Sequence, residues 1–197
     1  MPLTQYVALL RGIGPANPKT RNPKLCAVLT GMGYQAVKPL LSSGNLVFAA
    51  RRTKTATLER KIEQALADKL GETIDVFVRS RDELEALVRS DPFDGAEHGA
   101  PLYLVVTFRK DDPAPVCTAI DRTKMEGAEF MVALERRYGK RITTRTWNTI
   151  QRILATMAAL PVETTAGRGQ KARGASGVRS TPGCRKRLRR GGGSDRP

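Results

Sequence analysis

The chain has 197 residues, 40% of them hydrophobic, and its 34 Lys and Arg against 19 Asp and Glu give a formal net charge of +15. That is enough apolar material for one ordinary domain or two small fused ones. The longest apolar runs, Tyr6–Leu10, Leu102–Val106 and Met157–Leu160, fall far short of the roughly 18 residues a membrane span needs, so a membrane partner is not expected.

The charge is unevenly spread. Residues 164–197 hold ten of the basic residues and one acidic residue, a net +9, which leaves +6 for everything before them. The excess therefore belongs to a tail and not to a face of the fold. Cys26, Cys117 and Cys184 are scattered and odd in number, as expected of reduced thiols in a cytoplasm. Met1 leads almost directly into an apolar run without a basic n-region, so no secretory signal is expected. His98 is the only histidine, in a polar loop where solvent exposure is expected; neither a metal site nor a cofactor is expected.

In chain order, "QYVALLRGI" reads as a buried strand ending at a glycine. Asn22-Pro23 then offers an N-cap and a first-turn proline, and Leu25, Val28, Leu29 and Met32 recur at helical spacing before Gly33. "LLSSGNLVF" at 40–48 has two apolar arms around Ser42-Ser43-Gly44-Asn45. It reads as a hairpin whose turn needs the positive φ of Gly44, and the same turn can cradle an anion on its backbone N–H groups. A second helix runs from about Thr57 to Leu70, with Gly71 after it. "TIDVFV" closes a β-α-β-β-α-β order over the first 79 residues, the ferredoxin-like arrangement of an antiparallel sheet with two helices on one face.

Ser80 to Glu83 form a capping box for a third helix, and "APLYLVVTF" is another buried strand. "VCTAI" is a brief strand, and residues 128–138 predict a helix from Phe130, Leu134 and Tyr138. Thr143 or Thr144 is expected to cap the last helix. Trp147, Ile150, Ile153, Leu154 and Met157 would form its inward stripe, with Arg145, Asn148, Gln151 and Arg152 on its outer face. The expected class is α+β: residues 1–79 a first ferredoxin-like unit, 80–160 a second, shortened α/β unit, and 161–197 a disordered Arg/Gly-rich tail.

"RGIG" at 11–14 does not continue as a dinucleotide fingerprint, because the third glycine position is Asn17 and no acidic residue closes a following parallel strand. Cys26 and Cys117 read as packing residues, lacking a basic activator. The run Arg185, Lys186, Arg187, Arg189 and Arg190 suits nonspecific contact with a polyanion such as nucleic acid, or is simply a solvated tail; without interleaved aromatics it has no platform for bases.

Three blocks, "YVALLRGI", "SSGNLVF" and "TTRTWNTIQRI", with "VFVRSRDEL" at 76–84 as a fourth, resemble a bacterial family of unknown function whose members carry ALLRGIN, SGNVVF and TRNWNT-type blocks. The resemblance spans residues 5–157 and implies two successive ferredoxin-like α/β units. It implies no activity. This chain departs from the family in having Gly14 after "RGI", and in a much shorter connection between "VTFRKDDPAP" and "VCTAID". That shortening predicts an incomplete second half with an exposed sheet edge available for pairing.

Arg11, Ser43, Asn45, Arg145, Trp147 and Asn148 are the candidate set for an anion, since a helix N-terminus beside two arginines suits negative charge. The alternative for the same residues is that Trp147 packs in the core and Arg11 caps carbonyls. Three functions stay open: a binding module for an anionic small molecule or nucleic acid, an enzyme acting on a phosphorylated or carboxylated metabolite, and a structural or regulatory protein without a ligand. No catalytic residue can be named and the oligomeric state is not readable.

Overall fold

The computed structural model describes residues 3–161 apart from Pro15 and Asp111. The tail from residue 162 onward, with the basic run Arg185 to Arg190, lies outside the described residues.

The first sheet is built from β1 (Leu3–Leu10), β2 (Gln35–Leu40), β3 (Asn45–Arg51) and β4 (Val76–Ser80). Its order is β2-β3-β1-β4 with every pairing antiparallel. Helix α1 (Asn22–Gly31) connects β1 to β2, and α2 (Thr55–Leu70) connects β3 to β4. This is the expected βαββαβ arrangement. β1 is an interior strand covered on both faces, which is why "YVALL" is a continuous apolar run and not an alternating one. Tyr6, Ala8 and Leu10 pack with Leu25 and Leu29 of α1 and Ile62 and Leu66 of α2. Val7 and Leu9 point the other way, into a second core. Fully burying each Leu or Phe in these cores stabilises the fold by roughly 1.5–3 kcal/mol.

The second half comprises α3 (Arg81–Arg89), β5 (Leu102–Arg109), β6 (Val116–Asp121), α4 (Gly127–Tyr138), β7 (Ile142–Thr146) and α5 (Trp147–Ala158). Its antiparallel sheet has the order β6-β5-β7. β5 passes to β6 without an intervening helix or strand, as the short connection predicts. Helix α5 touches β1 and β3 on one side and β5 and β7 on the other. Its Ile150, Ile153 and Met157 share one core with Val7, Leu9 and Phe77 of the first sheet and with Leu104, Val106 and Phe108 of β5. The opposite face of β5 and β6 packs on Phe130 and Leu134 of α4.

Two expectations are corrected. The last helix starts later than read: residues 142–146 are a strand, and Thr146, not Thr143 or Thr144, is the N-cap residue, with no side-chain cap bond. Arg145 accordingly belongs to β7 and not to the outer face of α5. Asn22 is the first residue of α1 and does not cap it; its amide Nδ2 donates to Leu41 O at 3.0 Å. The capping box of α3 is present as expected, with Glu83 N donating to Ser80 Oγ at 3.2 Å and Ser80 N to Glu83 Oε2 at 2.6 Å.

Candidate functional site

The "SSGN" stretch is the turn of the β2–β3 hairpin. Gly44 has φ +71°, and a Cβ there would lie 2.8 Å from Ile13 Cγ1 and 2.9 Å from Leu10 Cβ, so both conformation and space demand glycine. Asn45 is fully buried at the start of β3. Its Nδ2 donates to Leu40 O at 3.0 Å and to Ser43 Oγ at 2.9 Å. Its Oδ1 accepts from Arg145 Nε, across 100 residues of sequence. The rest of the Arg145 guanidinium donates to Leu10 O at 2.9 Å, Ser43 O at 3.1 Å, Thr143 Oγ1 at 2.9 Å and Thr144 O at 2.7 Å. Burial draws this guanidinium down to about 10, where it is still charged at neutral pH. Arg11 reaches the same strand, donating to Ile142 O at 3.0 Å and pairing with the Glu135 carboxylate of α4.

Four members of the sequence-predicted set, Arg11, Ser43, Asn45 and Arg145, are thus brought together. The polar groups of Ser43, Asn45 and Arg145 face one another and the backbone, and Arg11 engages Ile142 O and Glu135, so that the end of β1 and the hairpin turn are joined to β7. Trp147 and Asn148 lie elsewhere. Trp147 is buried in the shared core, edge-on to Phe93 with centroids 5.2 Å apart. Asn148 is exposed on a separate cavity of about 470 Å³ that Asp91, Glu97 and His98 also line. Two carboxylates make that a poor place for an anion. His98 is not simply exposed: its Nδ1 accepts from Leu104 N at 3.0 Å, beyond the end of β7.

A second polar cluster was not foreseen. β4 is an edge strand, and its Val76 and Val78 N–H groups donate to Glu63 Oε1 at 2.9 Å and Glu59 Oε1 at 2.8 Å of α2. Lys110, at the end of β5, lies 3.1 Å from Glu59 Oε2, pairs with Glu63, and donates to Val76 O. Helix α2 therefore supplies the hydrogen-bond acceptors that a neighbouring strand would, and Lys110 balances their charge.

Beside this cluster opens a cavity of about 600 Å³ between α3, β5 and the β5–β6 connection. Leu84, Leu87, Phe108, Pro113 and Pro115 make most of its wall apolar, and Arg79 is the buried charge on it. Arg79 is 5% exposed. Its Nη1 donates to Val78 O at 2.8 Å and its Nη2 to Arg109 O at 3.3 Å, while Nε finds no partner among the described residues. The guanidinium lies 5.2 Å from the Phe108 ring centroid and 3.6 Å from Glu59 Oε1. Burial lowers its affinity for its proton, and the carboxylates of Glu83, Glu59 and Asp112 partly restore it. A sequence signal for this site exists. In "VFVRS", Arg79 shares its strand face with core-facing Phe77, which places a cation on an inward position.

Cys117 lines the same cavity, and burial raises its thiol above the ordinary value. A thiol so held is a poor nucleophile at neutral pH. Alkylation of the Cys117 peptide by iodoacetamide at pH 8 should run measurably slower than that of a free cysteine. The protection should vanish in urea; equal rates in folded and unfolded protein would show an accessible thiolate instead. Among the described residues no group of three or more His, Cys, Asp or Glu side chains is placed to hold a metal ion, and no helix is long and apolar enough to cross a membrane.

A solved structure of a conserved bacterial protein from Streptococcus pneumoniae is similar to this chain with a TM-score of 0.63 at 18% identity, covering 79% of this chain and 99% of that one. At that identity the likeness concerns the fold. No curated protein sequence matches. Residues 3–138 match a family described as "Protein of unknown function (DUF1697)"; the "TTRTWNTIQRI" block lies beyond that match. Since the matched stretch is well over half of the sequence, the chain belongs to the DUF1697 family.

Proposed function

We propose that the protein is a binding module for a small organic anion, a carboxylate on an apolar body, held in the cavity beside Arg79. The observation that carries this reading is Arg79, a charged residue 5% exposed that lines an apolar cavity and whose buried Nε finds no hydrogen-bond partner among the described residues. Burying a donor without an acceptor costs about 1–3 kcal/mol, which a ligand oxygen would recover once the guanidinium turns Nε toward the cavity. The volume of about 600 Å³ falls within the roughly 300–1,000 Å³ of small-molecule sites. Glu83, the one carboxylate on the lining, is exposed and its Oε2 is held by Ser80 in the α3 capping box. The buried cation among leucine, proline and phenylalanine side chains then selects a single acid group followed by hydrocarbon. Turnover would need a base or nucleophile at the bound acid; burial raises the pKa of the Cys117 thiol and the Glu83 carboxylate is engaged by Ser80, so the reading is binding.

Decanoate is a suitable probe. At about a hundredfold excess over its dissociation constant it should stabilise the native state by about 2.7 kcal/mol, raising the thermal transition by roughly 5–10 °C. Decanol, with the same hydrocarbon and no charge, should do far less. Ala86→Trp, at the exposed mouth of the cavity, should abolish the increment without lowering the starting transition. Arg79→Met should also abolish it. No increment with decanoate, or an undiminished one in both variants, would overturn the reading.

A further inference from the structure

Four strands lie at sheet edges: β2 and β4 in one sheet, β6 and β7 in the other. An edge presents unpaired N–H and C=O groups that can template another strand, and folded proteins usually blunt it. Three of these edges are closed by identifiable devices. β2 carries Pro39, a register shift between Gln35 and Lys38, and Ala36 at φ +49°. The outward N–H groups of β4 are bonded by Glu59 and Glu63. The β7 carbonyls of Ile142 and Thr144 accept from Arg11 and Arg145. Along β6, no side chain among the described residues bonds the outer backbone, and Val116–Ile120 carries no charged residue.

The direction of each β6 group follows from the ladder. Arg122 N donates to Pro101 O at 2.9 Å, one step beyond the Leu102↔Asp121 pairing. Hydrogen-bonded pairs alternate along an antiparallel ladder. Val116, Thr118 and Ile120 therefore bond to β5, while Cys117, Ala119 and Asp121 turn their backbone groups outward. The Asp121 carbonyl already accepts from Lys124 N and Met125 N. What remains on the free edge is chiefly the N–H and C=O of Cys117 and Ala119.

We infer that β6 is the pairing edge of a two-fold homodimer, in which the β6 of a second copy adds antiparallel with Thr118 on the axis. In this register Cys117 and Ala119 of each copy exchange their N–H and C=O groups with Ala119 and Cys117 of the other. The strand complements itself: Thr118 faces Thr118, Val116 meets Ile120, and no charge opposes a like charge. Hydroxyl pairs and branched pairs are favourable cross-strand neighbours, and a self-complementary patch closes under two-fold symmetry. Val116 and Thr118 of the second copy also land on the face that carries α4. There they cover an apolar groove of about 430 Å³ lined by Ile120, Met125, Phe130, Leu134 and Tyr138. An interface of one strand and one groove belongs to the small, reversible class.

The test is sedimentation velocity of the full chain from about 1 to 200 μM, a range that brackets micromolar association. A reversible monomer–dimer equilibrium is expected. Ala119→Pro removes only an outward N–H, a substitution an edge strand tolerates, so this variant should stay monomeric throughout with an unchanged thermal transition. Thr118→Cys provides a check that does not depend on how the proline variant folds. Residues facing each other in a non-hydrogen-bonded pair have Cα atoms about 4.5 Å apart, within disulfide reach. Mild oxidation should therefore give a dimer whose linkage maps by mass spectrometry to position 118 in both chains. A monomer at every concentration, a folded Ala119→Pro variant that still dimerises, or oxidation without the 118–118 linkage would overturn the inference.

Discussion

Replacing Lys110 with methionine is expected to destabilise the fold by about 3–5 kcal/mol and to lower its thermal transition by roughly 10 °C. The ammonium is nearly buried, with 6% side-chain exposure, as is its partner Glu59 at 7%. Both carboxylates it serves, Glu59 and Glu63, also accept the edge N–H groups of β4, so they cannot swing out to water without leaving those donors unpaired. Methionine fills similar volume and leaves the negative charges without their nearest cation. Breaking one side of a buried pair costs more than the pair itself contributes. Adding Glu59→Gln should therefore recover part of the loss, because the glutamine oxygen still accepts from Val78 N while one charge is gone; this non-additivity is the signature of a coupled site. Lys61→Met, on the exposed side of α2, should stay within about 0.5 kcal/mol of the parent. Urea denaturation midpoints decide the matter, and a Lys110→Met midpoint equal to that of Lys61→Met would show that the cluster contributes nothing.

Arg145→Ala should be comparably damaging, by about 3–5 kcal/mol. The alanine variant strands the Oδ1 of fully buried Asn45 and the part-buried carbonyls of Leu10 and Thr144, while the exposed Ser43 carbonyl can turn to water. Each buried acceptor left unsatisfied costs on the order of 1 kcal/mol or more. Arg145→Lys should recover little, since an ammonium is a single point and cannot span acceptors spread around a planar guanidinium. Asn148→Ala should stay within about 0.5 kcal/mol, because that amide is exposed. Equal stability of the Arg145→Ala and Asn148→Ala proteins in denaturant would contradict the junction described here.

Local signals in this chain were legible where one segment carries the whole reason for its shape. The apolar run of β1, the Ser80–Glu83 capping box and the positive φ of Gly44 are each settled within a few residues. β7 was misread because its threonines suit a helix cap as well as a strand, and it passes into α5 without a loop. Only its pairing with β5, from Ile142↔Arg109 to Thr146↔Val105, decides for strand. The partners of Arg145 lie as far as 135 positions away at Leu10, a distance no local pattern encodes. Of the candidate anion set, Trp147 and Asn148 lie elsewhere, while Arg11, Ser43, Asn45 and Arg145 come together in space. That their polar groups are engaged with the protein itself is a property of the assembled fold. The Arg79 cavity had a faint local trace in the alternation of "VFVRS", but its walls come from α3 and the β5–β6 connection, which only packing brings together.

The Arg145 junction between the two sheets is distinct from the Arg79 cavity proposed to take an anion, and one variant tests that separation. Thermal unfolding of Arg145→Lys should be measured with and without saturating decanoate, beside the parent protein. The expected result is a starting transition lowered by roughly 5–10 °C and a decanoate increment equal to that of the parent, since Arg145 does not line the Arg79 cavity. A starting transition equal to the parent's, with the decanoate increment lost, would contradict it and place the anion at Arg145.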